Sequence, residues 1–259
     1  MNIFLAGNVG TNCPQEYINF KSKFILQTFY DCKRYDVNKQ IQQVISAPQI
    51  FFLDSGAFTF MNSGVNVNWE EYLNQYADFI NRYDIRHFFE LDLDTVIGIE
   101  ATKKLTACLE AKTGRQCIPV FHACRGLKTW REMCQDYPYV AIGASGLTAE
   151  CKWVKNDKLL LSMVQIAHEY GTKVHGLGYT RLSNLNHTVI PFDSVDSSAC
   201  LSGGRFATMY KFTGTKLIST SIKGRSPGYK ILNQHNIKEW IKMQYYKSGD
   251  NYEQSTKNV

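Results

Sequence analysis

Three apolar runs in this chain end in carboxylates. Phe51-Phe52-Leu53 stops at Asp54, ahead of Ser55-Gly56-Ala57-Phe58. Phe88-Phe89 leads into Glu90, Asp92 and Asp94, and Ile190-Pro191-Phe192 leads into Asp193 and Asp196. In a parallel α/β protein a buried strand carries such an acid to the open, C-terminal end of the sheet. Acids converging there suit general acid–base and nucleophilic chemistry at carbon. An Asp after a strand is also a common helix N-cap, yet Ser55 and Gly56 already supply a cap and a tight turn after Asp54. Asp92 and Asp94 share one face of an extended run, so at most one needs to reach the site directly. Asp193 and Asp196, three apart, point in different directions.

Two glycine-rich segments, Ile142-Gly143-Ala144-Ser145-Gly146 and His175-Gly176-Leu177-Gly178, each follow an apolar run. Glycine there lets a planar ligand approach the backbone and use its N–H groups. Neither segment is a GxGxxG fingerprint and no GxxxxGK[ST] loop is present, so no nucleotide cofactor is expected. His122, in Phe121-His122-Ala123, reads equally well as a site residue or as a hydrogen-bonded core histidine.

The elements that must position these residues alternate. Apolar, β-prone runs cover 3–6, 50–53, 87–91, 117–121, 139–142, 173–177, 189–195 and 216–220, and helix-like stretches separate most of them. Asn68 and Glu71 have the form of a capping box, after which Trp69, Tyr72, Leu73, Tyr76, Phe79, Ile80 and Tyr83 fall at helical spacing. Leu159, Leu160, Met163, Val164, Ile166, Ala167 and Tyr170 repeat the pattern, with Gly171 as the stop. Such aromatic stripes read as helix-to-sheet packing. The alternation, on a chain of 259 residues, indicates an α/β fold: a single-domain (β/α)8 TIM barrel over 1–247, with a polar tail over 248–259. Residues 12–34 fit less well and hold an extra strand candidate at 24–29.

Hydrophobic content of 44% and aromatic content of 13% suffice for a sizeable core. No run is long enough to span a bilayer and no leader is evident, so a cytoplasmic location is expected. The eight cysteines include no CxxC pair, which favours reduced thiols and no metal site. Charge is uneven. Residues 205–247 hold nine Lys/Arg against one acid, Glu239, a local excess of +8 where the whole chain carries +6. That asymmetry fits a polyanion partner and equally a plain solvated basic face.

These residues together resemble a family. Asp54-Ser55-Gly56-Ala57-Phe58 is similar to the Asp-Ser-Gly-Gly-(Tyr/Phe) motif of tRNA-guanine transglycosylases. Asp92 resembles their base-holding aspartate at the end of the next barrel strand. Ile142-Gly143-Ala144-Ser145-Gly146 resembles their Ile-Gly-Gly-Leu-Ala-Val-Gly run, and His175-Gly176-Leu177-Gly178-Tyr179-Thr180 their Met-Gly-Val-Gly-Thr-Pro. Asp193-Ser194-Val195-Asp196, with Arg205 nine residues on, resembles their Asp-Met-Phe-Asp and its Arg. The resemblance implies Asp196 as nucleophile, Asp54 as acid and base, and a base pocket drawn from Ser55, Asp92, Asp94, His122, Gly143, Ala144, Ser145, Gly146, His175 and Gly176.

Two departures narrow it. Phe121-His122-Ala123 stands where the family has Gln-Gly, and the zinc subdomain that contacts tRNA has no counterpart here. The chain is thus more similar to the phage and bacterial DNA-guanine transglycosylases. That likeness implies exchange of guanine in DNA for a 7-deazaguanine, a modification that can protect phage DNA from restriction. DNA and the free base would be its partners, with Arg205, Lys211, Lys223, Arg225 and Lys230 on the backbone. The alternatives are a tRNA substrate, or a catalytically silent barrel that binds nucleic acid or a free base. Carboxylates at both Asp54 and Asp196 weigh against silence, since a pure binder needs neither beside an anionic backbone.

Overall fold

The computed structural model describes residues 1–7, 13–33, 39–61, 67–143, 155–179, 181–223, 228–250 and 252, with backbone only at 13, 14, 39, 40, 58, 61, 204 and 205. Seven strands form one all-parallel sheet: β1 Asn2–Leu5, β2 Phe24–Thr28, β3 Ile50–Asp54, β4 Val120–Phe121, β5 Tyr139–Gly143, β6 Lys173–Leu177 and β7 Ser194–Ser197. Their order is β3-β2-β1-β7-β6-β5-β4. One short segment is bridged from both edges: Leu53 of β3 bridges Phe88, and Ile118, two residues before β4, bridges Phe89, each in parallel.

The sheet curls until its inner face meets itself. Phe4 of β1 stacks on Phe52 of β3 at 4.0 Å, and Phe52 lies edge-on to Tyr139 of β5 and His175 of β6 at 5.7 and 5.5 Å. Rings from four strands can meet this way only across a closed or nearly closed interior. Phe24, Leu26, Phe89, Ile118, Val120 and Ala141 complete that inner cluster, while Ile3, Leu5, Ile25, Leu53, Val140, Ile142 and Val195 face the surrounding helices. Burial on both faces is why the strands read as continuous apolar runs. The architecture is TIM-like.

Helices do more than cover the sheet. Asn68 caps Trp69–Arg82 by accepting from the Glu71 N–H at 3.2 Å; of the expected stripe, Tyr72, Leu73, Tyr76, Phe79 and Ile80 are buried, and Trp69 and Tyr83 at its ends are half-buried. Within it, the Tyr76 hydroxyl donates to the carbonyls of Leu53 and Phe89, 3.0 Å from each. It clamps β3 to the bridging segment one residue before Asp54. Asn156 caps Asp157–Glu169 in the same way, and Gly171, at φ +75°, ends it as expected. The long helix Tyr229–Ser248 is tied to the sheet by buried Gln244, whose amide donates to the carbonyls of Ile3 and Phe24 at 2.6 and 2.9 Å.

Two strand expectations change places. Residues 24–28 are a full sheet member between β1 and β3, because Phe24, Ile25 and Leu26 are buried on alternating faces. Residues 216–220 are not in the sheet. They contribute to β9 (Leu217–Ser221), which pairs antiparallel with β8 (Thr208–Phe212) in a separate hairpin. Leu217 alone of β9 is buried; the Ser/Thr-rich remainder is exposed and lacks the two apolar faces a central parallel strand needs. Asn236 and Glu239 of the long helix accept from the N–H groups of Tyr210 and Phe212, at 2.8 and 2.7 Å, and so anchor the hairpin. Among the described residues no helix is long and apolar enough to cross a membrane.

Candidate active site

Three acids gather at the C-terminal end of the curled sheet. Asp54 is the last residue of β3, and its carboxylate accepts from the Gly56 N–H at 3.3 Å. Gly56 sits at φ +72°, and a Cβ there would come within 2.6 Å of Tyr30 Cβ, so the turn that presents Asp54 demands glycine. Asp196 lies in β7, 8% exposed, and its Oδ1 accepts from the Gly178 N–H at 2.6 Å and faces His175 Nε2 at 3.2 Å. Asp92 follows the bridging segment and meets His122 Nε2 at 2.5 Å. Gly143 leaves room for that ring, since a Cβ there would stand 2.6 Å from Val120 Cγ1 and 2.8 Å from His122 Cε1.

Electrostatics mark Asp54 out. Burial, then the neighbouring charges of Asp92 and Asp196, push its pKa up to about 7 against the opposing pull of the Gly56 and Ser55 N–H groups. A carboxyl poised there is half protonated near neutrality, as an acid that later serves as base must be.

Several expected site residues have other work. Asp94 begins the short helix Asp94–Ile97 and is gripped by Arg125, with Nε–Oδ2 at 2.5 Å and Nη2–Oδ1 at 2.9 Å. The extended run ends before it, so the i, i+2 argument does not carry Asp94 to the mouth. Ser55 is 1% exposed; its hydroxyl accepts from the Ala57 N–H at 3.2 Å and caps the turn. His175 is fully buried beneath Asp196, its ring against Phe4, Phe52 and Phe89, out of reach of a ligand at the mouth. Gly176 faces Tyr179 and Phe192, where a Cβ would come within 3.0 and 3.3 Å, so it serves packing. Asp193 is at the opposite end of the sheet. It accepts from the Val174 N–H at 2.8 Å, meets His168 at 2.9 Å, and lines a cavity of about 470 Å³ with Met1, Asn2, His87, Tyr139 and Lys173.

Ala144, Ser145, Gly146 and Arg225 lie outside the described residues, as does the side chain of Arg205. Lys211, Lys223 and Lys230 are exposed, Lys211 on the hairpin and Lys230 at the start of the long helix. Arg125 escaped the sequence reading, and so did Ser194 and Tyr139, whose hydroxyls lie 2.5 Å apart on the inner face. The only signal for Arg125 was an arginine just after an apolar run opposite two surplus acids. Among the described residues no three His, Cys, Asp or Glu side chains form a group able to hold a metal ion.

No family model matches the chain, and no curated protein sequence matches it. Among solved structures the chain is similar to thiamine phosphate pyrophosphorylase from Pyrococcus furiosus, at 10% identity and a TM-score of 0.49, over 93% of this chain and 96% of that one. A likeness that distant carries no argument about chemistry.

Proposed function

We propose that this protein is a guanine transglycosylase that exchanges guanine in DNA for a 7-deazaguanine base through a covalent aspartyl-sugar intermediate. The observation that carries the reading is the trio at the mouth: Asp54, brought to a pKa of about 7 by burial and by the charges of Asp92 and Asp196. The eight-part closure of the sheet into a (β/α)8 barrel belongs to the same proposal, with the bridged residues Phe88 and Phe89 in the eighth strand position between β3 and β4.

In the first displacement a carboxylate oxygen of Asp196 bonds to the anomeric carbon as the glycosidic C–N bond breaks. Asp54 gives its proton to the departing guanine and is left ionised. In the second, the incoming base loses its ring N–H proton to Asp54, its nitrogen bonds to the anomeric carbon, and the Asp196 ester bond breaks. Two inversions retain configuration, by the logic of retaining glycosidases. Asp92 accepts hydrogen bonds from the purine N–H groups, with His122 holding its other oxygen. A guanine within a duplex is out of reach, so the base must be flipped or single-stranded. The exposed Lys211, Lys223 and Lys230 supply phosphate contacts.

The deciding measurement is release of labelled guanine from duplex DNA and, in parallel, from tRNA, in the presence of candidate 7-deazaguanines. Exchange in DNA supports the reading. Exchange in tRNA alone moves the substrate and leaves the chemistry, and exchange in neither overturns it.

A further inference from the structure

Beneath the mouth, a line of side chains runs through the core of the curled sheet. Asp196 Oδ1 faces His175 Nε2 at 3.2 Å, His175 Nδ1 faces Ser194 Oγ at 2.5 Å, and Ser194 Oγ faces the Tyr139 hydroxyl at 2.5 Å. His175 and Ser194 are both 0% exposed. At its far end Tyr139 lines the cavity at the opposite face. Strand register places these groups together: His175 pairs with Ser194 across β6 and β7, and Asp196 is two residues further along the same inner face.

The directions of these bonds follow from chemistry. An ionised Asp196 only accepts, so His175 must donate from Nε2. A neutral imidazole then accepts at Nδ1, which makes Ser194 the donor there and leaves its oxygen to accept from Tyr139. With the imidazole neutral, the groups are satisfied in one sense only, Tyr139 to Ser194 to His175 to Asp196.

We infer that Tyr139, Ser194 and His175 form a positioning relay that fixes the Asp196 carboxylate, with Oδ1 held by His175 and the Gly178 N–H and Oδ2 presented as the attacking atom. The role in attack rests on the transglycosylase reading; the hydrogen-bond polarity does not. His175 is a positioning residue, since it touches Asp196 and is walled from the mouth by it. The arrangement resembles in logic a carboxylate-oriented imidazole run in reverse, the imidazole orienting the carboxylate.

Two measurements test it. Nitrogen-15 NMR of the full chain with labelled histidine reads the tautomer directly. The relay requires a neutral His175 protonated at Nε2, with the Nδ1 resonance displaced in Ser194→Ala, where its donor is gone. A proton on Nδ1, or an unmoved Nδ1 resonance in Ser194→Ala, overturns the relay whatever the protein catalyses. Kinetically, His175→Phe keeps the packing against Phe4 and Phe52 but deletes the donor, and should lower kcat by ~100-fold with KM for the incoming base unchanged. His175→Gln restores an N–H toward Asp196 and should recover most of that loss. A raised KM at unchanged kcat, or a glutamine variant no better than phenylalanine at equal folded fraction, overturns it. Failure of the wild-type protein to exchange any base sinks the function instead, and the tautomer still decides the relay.

Discussion

Two acidic clusters draw on residues 90–94, and the structure treats them oppositely. Glu90 and Asp94 share the Arg125 guanidinium, with Glu90 also accepting from Thr106 Oγ1 and the Val120 N–H at 2.6 and 2.7 Å. Asp92, between them, turns the other way to join Asp54 and Asp196, and the charges acting on Asp54 there are both negative. One cluster is bridged by a cation and buried for structure; the other is left with repulsion that a folded protein would normally remove. Residue type does not separate the two roles. A counter-charge does.

The comparison breaks most sharply at Asp196. Asp196→Asn keeps shape and hydrogen-bonding capacity but cannot form the ester. Exchange should fall on the order of 10⁴-fold or more, with no denaturation-resistant protein–nucleic acid adduct. Adduct at wild-type level in this variant would remove Asp196 from the role.

Arg125 tests the cation-bridged cluster. Arg125→Met leaves Glu90 and Asp94 buried without their cation, and should cost about 3–5 kcal/mol in urea unfolding. A loss below ~1 kcal/mol would mean that the arginine contributes no more than a surface ion pair.

At Asp54 the sign reverses. Its folded pKa of about 7 lies above the ordinary aspartate value of 3.8, so the folded state binds the proton more tightly. Below the unfolded value both states are protonated and stability is intact; it is lost as pH rises toward 7, where ionisation is opposed. Asp54→Asn should therefore match wild type at pH 4 and exceed it at pH 8, by on the order of 2 kcal/mol after discounting for the open mouth. It should do so while abolishing exchange. An equal or lower stability at pH 8 would show that Asp54 carries no such penalty.

Much of this could be read from the chain, and the misses share a cause. Asp54 and Asp196 were legible because a buried strand must run straight, so an acid at its end has one destination. The cap at Ser55 is legible from its place after Asp54, and only the pocket role implied by the resemblance fails there. Asp94 is misplaced because a helix begins where the run ends, and turn geometry answers to local hydrogen bonds that periodicity does not carry. The exchange of 216–220 for 24–28 has the same root. Each is a short run of strand formers, and only burial on both faces, set by what packs against them, separates a sheet strand from a hairpin arm. His175 was found as a residue but not as a role, because its partners Ser194 and Tyr139 lie 19 and 36 positions away and meet it only through register.

The smallest effect concerns how an acidic mouth would receive the polyanion of the proposed reaction. Three carboxylates repel phosphate, so binding energy has to come from outside the mouth. Lys211, on β8 of the hairpin, and Lys223, just past β9, are exposed cations downstream of Asp196 in the chain. If Lys211 and Lys223 each neutralise one phosphate, the plot of log affinity against log salt should become shallower by about 1 for each Lys→Gln change. Affinity at low salt should fall only several-fold, and kcat at saturating DNA should not move, because neither lysine touches the reacting atoms. A solvated basic face gives no slope change at all. A fall in kcat without a slope change would place these lysines in the chemistry, and would make the division between an acidic reacting centre and a basic docking surface untenable.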